Sequence, residues 1–190
     1  MRSPLIAAIA ALALAPLAGC GDKAPGTDKA GSESAKVSSG TLAAEIGSAA
    51  GMSTVATALR GTGLAGIFDG SAPYTLLAPD DDAFGALGET GAMLKAPENG
   101  AAMAEVLKSH ILPGYVTVAD IDGAIRRAEG KPVKMTTMDG AELSFARNGE
   151  DLTVTAADGS TAKVDGKELA ASNGVAIPVD AVLKKVPSAG

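Results

Sequence analysis

The chain has 190 residues, 22 acidic and 16 basic, a net charge of −6, one cysteine, one histidine and no tryptophan. That balance disfavours nucleic-acid binding, because phosphate neutralisation needs clustered cations and base stacking needs aromatic rings. A single cysteine excludes an internal disulfide, and one histidine without a free thiol excludes the usual zinc ligand sets.

Arg2 followed by the apolar run Leu5–Ala15 and Pro16 reads as a secretion signal over residues 1–19. Eleven helical residues would span only about 16 Å, half of a bilayer core, so the run is too short for a stable transmembrane helix. It ends in Leu17-Ala18-Gly19-Cys20, the pattern of a bacterial lipoprotein signal. In such a protein the Cys20 thiol takes a diacylglyceryl group and becomes the first residue, which would anchor the chain in the cell envelope. Gly21, where no Asp stands, points to the outer membrane under common bacterial sorting. Residues 21–40 are rich in Gly, Ser, Lys and Asp with almost no large apolar side chain, so they read as a flexible tether.

Patterning of a folded domain begins at Thr41. Leu42, Ile46 and Ala49 share a helical face. Ser53 or Thr54 is placed to cap a second helix carrying Val55, Ala58 and Leu59, which Gly61 and Gly63 stop. Leu64–Phe68 is a short helical turn. Tyr74–Ala78 is a buried strand, and Asp80 or Asp81 caps a helix running to Leu87. Asn99–His110 reads as a helix with Met103, Val106, Leu107 and His110 on one face, and Thr117 caps another with Val118, Ile121 and Ile125 inward. From Val133 the period changes to two. Val133/Met135/Thr137, Leu143/Phe145, Leu152/Val154 and Ala162/Val164 alternate with polar residues, and Asp139-Gly140, Asn148-Gly149 and Asp158-Gly159 mark hairpin turns. Val175–Leu183 reads as a final buried strand. Helices first and a strand meander after indicate an α+β domain with its helices gathered on one side.

Three segments, in order, carry a resemblance. They are Thr75-Leu-Leu-Ala-Pro79-Asp80-Asp81-Asp-Ala-Phe84, Leu107-Lys-Ser-His110-Ile-Leu-Pro113-Gly114, and Asn173-Gly174-Val-Ala-Ile-Pro-Val-Asp180. Together they resemble the fasciclin domain family over about residues 42–186. The resemblance implies a β-sandwich-like core with helices packed around it. With the N-terminal readings, the chain divides into the signal peptide at 1–19, lipidated Cys20 with its tether at 20–40, the domain at 41–187 and a tail at 188–190. The resemblance also implies a non-catalytic module for adhesion or matrix contact, with a protein or matrix partner; some relatives look like carriers of a small apolar ligand or pigment. Two positions depart from the family pattern. Ser109 stands where tyrosine often precedes the histidine, in a segment implicated in integrin adhesion in some animal members. Ile177 stands where a histidine is common, followed by Pro178, which lacks a ladder donor and so calls for an edge, a bulge or a strand end.

Other patterns carry less. A Ser–His–Asp reading of His110 lacks a serine facing it, since Ser109 is its immediate neighbour, and there is no Gly-x-Ser-x-Gly elbow. His110 therefore reads as a structural histidine bonded to backbone. An EF-hand loop begun at Asp80 would put Phe84 and Gly91 where oxygen ligands are required. Gly61-Thr-Gly63-Leu-Ala-Gly66 follows a helix and not a strand, so it stops that helix and is no dinucleotide fingerprint. No cofactor or metal is expected. Tyr115, directly after Pro113-Gly114, is the candidate interaction residue, because a Pro-Gly turn exposes its successor.

Overall fold

Side chains of a strand alternate between two faces, so a strand that is apolar throughout must be covered on both. That condition organises this domain. The computed structural model describes residues 37–186. Cys20, the signal segment and most of the tether lie outside the described residues.

In chain order the helices are α1 (Leu42–Ser48), α2 (Ser53–Gly61), α3 (Ala65–Asp69), α4 (Asp81–Ala86), α5 (Glu89–Leu94), α6 (Gly100–Lys108) and α7 (Val118–Arg127), with a 3-10 turn at Pro97–Asn99 before α6. The strands are β1 (Tyr74–Pro79), β2 (Ile111–Pro113), β3 (Val133–Thr136), β4 (Glu142–Asn148), β5 (Asp151–Ala156), β6 (Thr161–Lys163), β7 (Leu169–Ala171) and β8 (Gly174–Val179). They form two four-stranded sheets, β2-β1-β8-β7 and β3-β4-β5-β6. The architecture is α+β, a sandwich with helices around it.

In the first sheet β1 and β8 pair in parallel, Tyr74 opposite Gly174 and Pro79 opposite Val179. One face of this sheet presents Leu76, Ala78, Ile111 and Ala176 to Leu42, Leu59, Phe84 and Leu107 of the helices. The other face presents Leu77, Leu112, Val175, Ile177 and Val179 to Leu143, Phe145, Leu152 and Val154 of the second sheet. The first sheet is thus shared by two cores. The second sheet is a plain meander in which β3, β4, β5 and β6 pair antiparallel in sequence order. Its turns end in Gly140, Gly149 and Gly159, which hold φ of +85°, +65° and +85°, conformations open chiefly to glycine. The sheets also touch at their margins. Met138 donates its N–H to the Ile111 carbonyl, and Val164 bridges Val179.

Several sequence expectations are corrected. The helix read to His110 ends at Lys108, because Ile111–Pro113 extends to pair with β1, and His110 sits at the junction. The strand read to Leu183 stops at Val179, since Asp180 turns to bond β6; Val182 and Leu183 are buried without being strand. Ser53 and Thr54 do not cap α2. Ser38–Gly40, read as the end of the tether, lies along β7: Ser38 donates its N–H to Ala170, and Gly40 accepts from Ser172. Helix α7 does not join the other helices. Its Ile121 and Ile125 pack into the core between the sheets. Pro178 is tolerated because β7 pairs only as far as Ala176; beyond it residues 163–165 meet the β8 edge through single bonds, and the Pro178 carbonyl accepts from the Asp165 N–H there.

Candidate functional site

The motif residues divide into two groups, those that pin elements together and those that face solvent. The pins are dense. Asp80 is the N-cap of α4, its carboxylate accepting from the Ala83 N–H at 2.6 Å. Asp81 turns the other way. It accepts from the backbone N–H groups of Ser53 (3.3 Å) and Thr54 (2.7 Å) and from the Ser53 hydroxyl (2.8 Å), so it caps α2 across space. Burial alone would raise the Asp81 pKa, but these hydrogen bonds outweigh it and hold the carboxyl below its ordinary range. Pro79 ends β1, and Phe84, on the inner face of α4, is fully buried.

Asn173 ties three elements. Its side-chain oxygen accepts from the Leu42 N–H (2.8 Å), and its amide donates to the carbonyls of Phe68 (2.6 Å) and Gly70 (2.8 Å). A Cβ on Gly174 would collide with the Tyr74 carbonyl and stand 2.9 Å from Leu42 Cδ2, so only glycine fits there. Asp180 joins the sheets, accepting the Lys163 N–H at 2.7 Å.

His110 is wholly buried. Nδ1 donates to the Val106 carbonyl at 2.7 Å, and Nε2 accepts from the Leu183 N–H at 2.8 Å. Those partners require a neutral ring with its proton on Nδ1. Burial lowers the pKa to about 4, against the opposing pull of the Val106 carbonyl. Ser109 Oγ lies 3.3 Å from Nδ1, closer than sequence neighbourhood on a helix suggests, but it too donates to Val106, at 2.7 Å. With both ring nitrogens engaged and both residues buried, the pair has no lone pair free to activate the serine.

The solvent-facing group begins at the turn after β2. Gly114 holds φ +104°. Beneath it the fully buried Thr75 hydroxyl accepts from the Val116 N–H (2.8 Å) and donates to the Gly114 carbonyl (2.9 Å). The turn is therefore clamped from below, and Tyr115 projects from it with 37% of its surface exposed. Burial, with Glu168 and Asp120 nearby, raises its pKa. Glu168 is itself fixed by the Val118 N–H at 2.8 Å. The clamp by Thr75 was not readable from spacing, since 41 residues separate it from Val116.

A second surface feature carried no motif. A cleft of about 360 Å³ opens between α2 and the junction of α5 and α6, lined by Thr57, Ala58, Gly61, Leu94, Lys95 and Met103 among others. Among the described residues no group of three or more His, Cys, Asp or Glu side chains is gathered as a metal site, and no helix is long and apolar enough to cross a membrane.

Comparison with known proteins follows the same outline. Residues 50–185 match the fasciclin domain model. The chain is 30% identical over 132 residues to protein sll1483 of the cyanobacterium Synechocystis, covering 69% of this chain and 66% of that protein. It is 29% identical over 96 residues to sll1735 of the same organism, covering 50% of this chain and 71% of the relative. The fold superposes on a FAS1 domain pair from the insect cell adhesion molecule fasciclin I with a TM-score of 0.66 at 14% identity, covering 76% of this chain and 51% of that pair. The chain thus spans about two thirds of one relative and half of the insect pair. A matching family model over most of the domain, together with this shared architecture, makes the chain a member of the fasciclin domain family.

Proposed function

We propose that this domain is a non-catalytic interaction module of the bacterial cell envelope, tethered by a lipid on Cys20 and binding a protein or matrix partner through the surface around Tyr115. The observation that carries the reading is the clamped turn. Thr75 fixes both sides of it, so the Tyr115 ring is presented with little entropy left to lose on binding. Tyrosine supplies contact area and a hydroxyl together, and Asp120 and Glu168 beside it favour a partner with basic groups. The neutral, doubly bonded His110 supports the non-enzymatic part, as does a family that is generally non-enzymatic. The insect neighbour is a cell adhesion molecule, which favours a similar role for this fold here. Membrane attachment rests on the Leu17-Ala18-Gly19-Cys20 pattern, with the protein facing the periplasm or surface of the outer membrane.

Tyr115→Ala tests the binding surface. It should leave the melting temperature within about a degree, as a partly exposed side chain in a turn, and abolish partner capture by crosslinking on intact cells. Unaltered capture removes Tyr115 from the interface. Cys20→Ala should release the protein from membranes or block its processing; a variant still cleaved and fully membrane-bound contradicts the anchor.

The cleft favours a second reading, in which the domain carries a small, largely apolar ligand.

A further inference from the structure

We propose that the cleft between α2 and the α5–α6 junction binds a single-chain carboxylate amphiphile, its tail along α2 and its carboxylate at Lys95. This gives the carrier reading a ligand class and rests on the cleft, not on the Tyr115 surface.

The cleft has the size of a small-molecule site, about 360 Å³. Its α2 wall is made of small residues one turn apart, Thr54, Ala58 and Gly61, and Leu94 and Met103 supply the apolar wall opposite. Its two glycines are not required by the backbone. Gly61 lies within α2 and Gly100 begins α6 at φ −53°, ψ −34°, an ordinary helical backbone. Nothing stands within 4 Å of a Cβ built on either. No crowding and no positive φ demand glycine there, and alanine would favour the helices. A side chain at these positions would take up space in the cleft.

Charge selects the ligand's head. Residues 41–105 carry eight acids against only Arg60 and Lys95. Lys95 is exposed at the cleft and enters none of the ion pairs among the described residues. Gly100 lines the same end, where the turn at Pro97–Asn99 runs directly into α6 and the Gly100 N–H is bonded to the Pro97 carbonyl. A free cation in an otherwise uncharged lining favours an anion. The other end of the cleft shows how a carboxylate is used in this layer: at Ser53 and Thr54 the start of α2 is already occupied by Asp81. Lys95 is the one charged residue among those lining the cleft, so the complementary ligand has an apolar body and one negative terminus.

The test is titration of the full chain with sodium decanoate, followed by backbone amide chemical shifts, with decyltrimethylammonium as the cationic control. Saturable shifts confined to α2 and residues 94–103 are expected. Lys95→Gln should weaken decanoate binding about fivefold, the scale of one exposed ion pair, without moving the melting temperature. Thr57→Phe should block the cleft and abolish binding; Gly61→Leu is the second blocking variant should the first disturb folding. No saturable shift, shifts centred elsewhere, binding indifferent to both blocking variants, or equal affinity for the cationic control would each overturn the proposal. None of these outcomes bears on partner capture by Tyr115.

Discussion

The second sheet and the helical layer are held together on different length scales. In β3–β6 each strand pairs with its neighbour in sequence through a short turn. A hairpin of that kind brings its own partner with it. The six helices α1–α6 span only five to nine residues each, well below the length at which a helix holds on its own in water. They are fastened by polar side chains reaching across the sequence: Asp81 to Thr54 over 27 residues, His110 to Leu183 over 73, and Asn173 to Leu42 over 131. The motif residues are mostly these fasteners: they build the helical layer and leave its surface free.

The comparison can be broken most strongly at the shared core. Phe84 is fully buried in the cluster joining helices to the first sheet. Phe84→Ala should cost about 3–5 kcal/mol as a core truncation, measured by denaturant unfolding; a loss under about 1 kcal/mol would show that Phe84 does not anchor this core.

His110 gives the next largest effect, through pH. Its folded pKa of about 4 lies below the unfolded value of 6.5. The unfolded chain therefore takes up a proton first as pH falls, and stability drops between about pH 6.5 and 4. The drop should approach roughly 3 kcal/mol from this group, the shift converted at 1.36 kcal/mol per unit. His110→Phe should destabilise at pH 7, where it leaves the Leu183 N–H without its acceptor, and should remove that slope. A variant with the same slope as the parent would mean another group titrates there.

Asp81→Ala is smaller. It uncaps α2 and should cost about 1–2 kcal/mol. Because the Asp81 pKa is lowered on folding, its contribution is present above the ordinary carboxylate range and is lost as pH falls through the folded value. The difference between variant and parent should therefore shrink as the pH falls below the ordinary carboxylate range. A difference constant to low pH would contradict the trans-cap. Tyr115→Ala belongs at the bottom of this series, near zero in stability, since it touches neither core.

The same contrast governs what the sequence makes legible. The hairpins of the second sheet are readable because Asp139-Gly140, Asn148-Gly149 and Asp158-Gly159 lie within the elements they connect. The Asp80 cap is readable because its partner, Ala83, is three residues away. The role of Asp81 is not, because nothing local points to Ser53. Short elements were missed for a related reason. β2 and β7 have three residues each, and only pairing with β1 and β8 makes them strands. α5 is six residues long and contains Gly91, whose missing side chain lets it rest on the Phe84 carbonyl. The Tyr115 turn was legible from Pro113-Gly114, but its clamp was not. The cleft left no motif at all, because its walls are ordinary small residues that only folding brings opposite one another.

Native-state hydrogen exchange on Asn173→Ala tests the account most directly. The substitution removes the bonds to Leu42, Phe68 and Gly70 while leaving every hairpin of the second sheet in place. Amides of α1–α3 should lose protection by at least about fivefold, from the roughly 1–3 kcal/mol left by unsatisfied buried groups, while those of β4 and β5 keep the parent's protection relative to global unfolding. Equal loss in both regions, or none in α1–α3, would contradict the claim that long-range polar pins hold the helical layer to a locally assembled sheet.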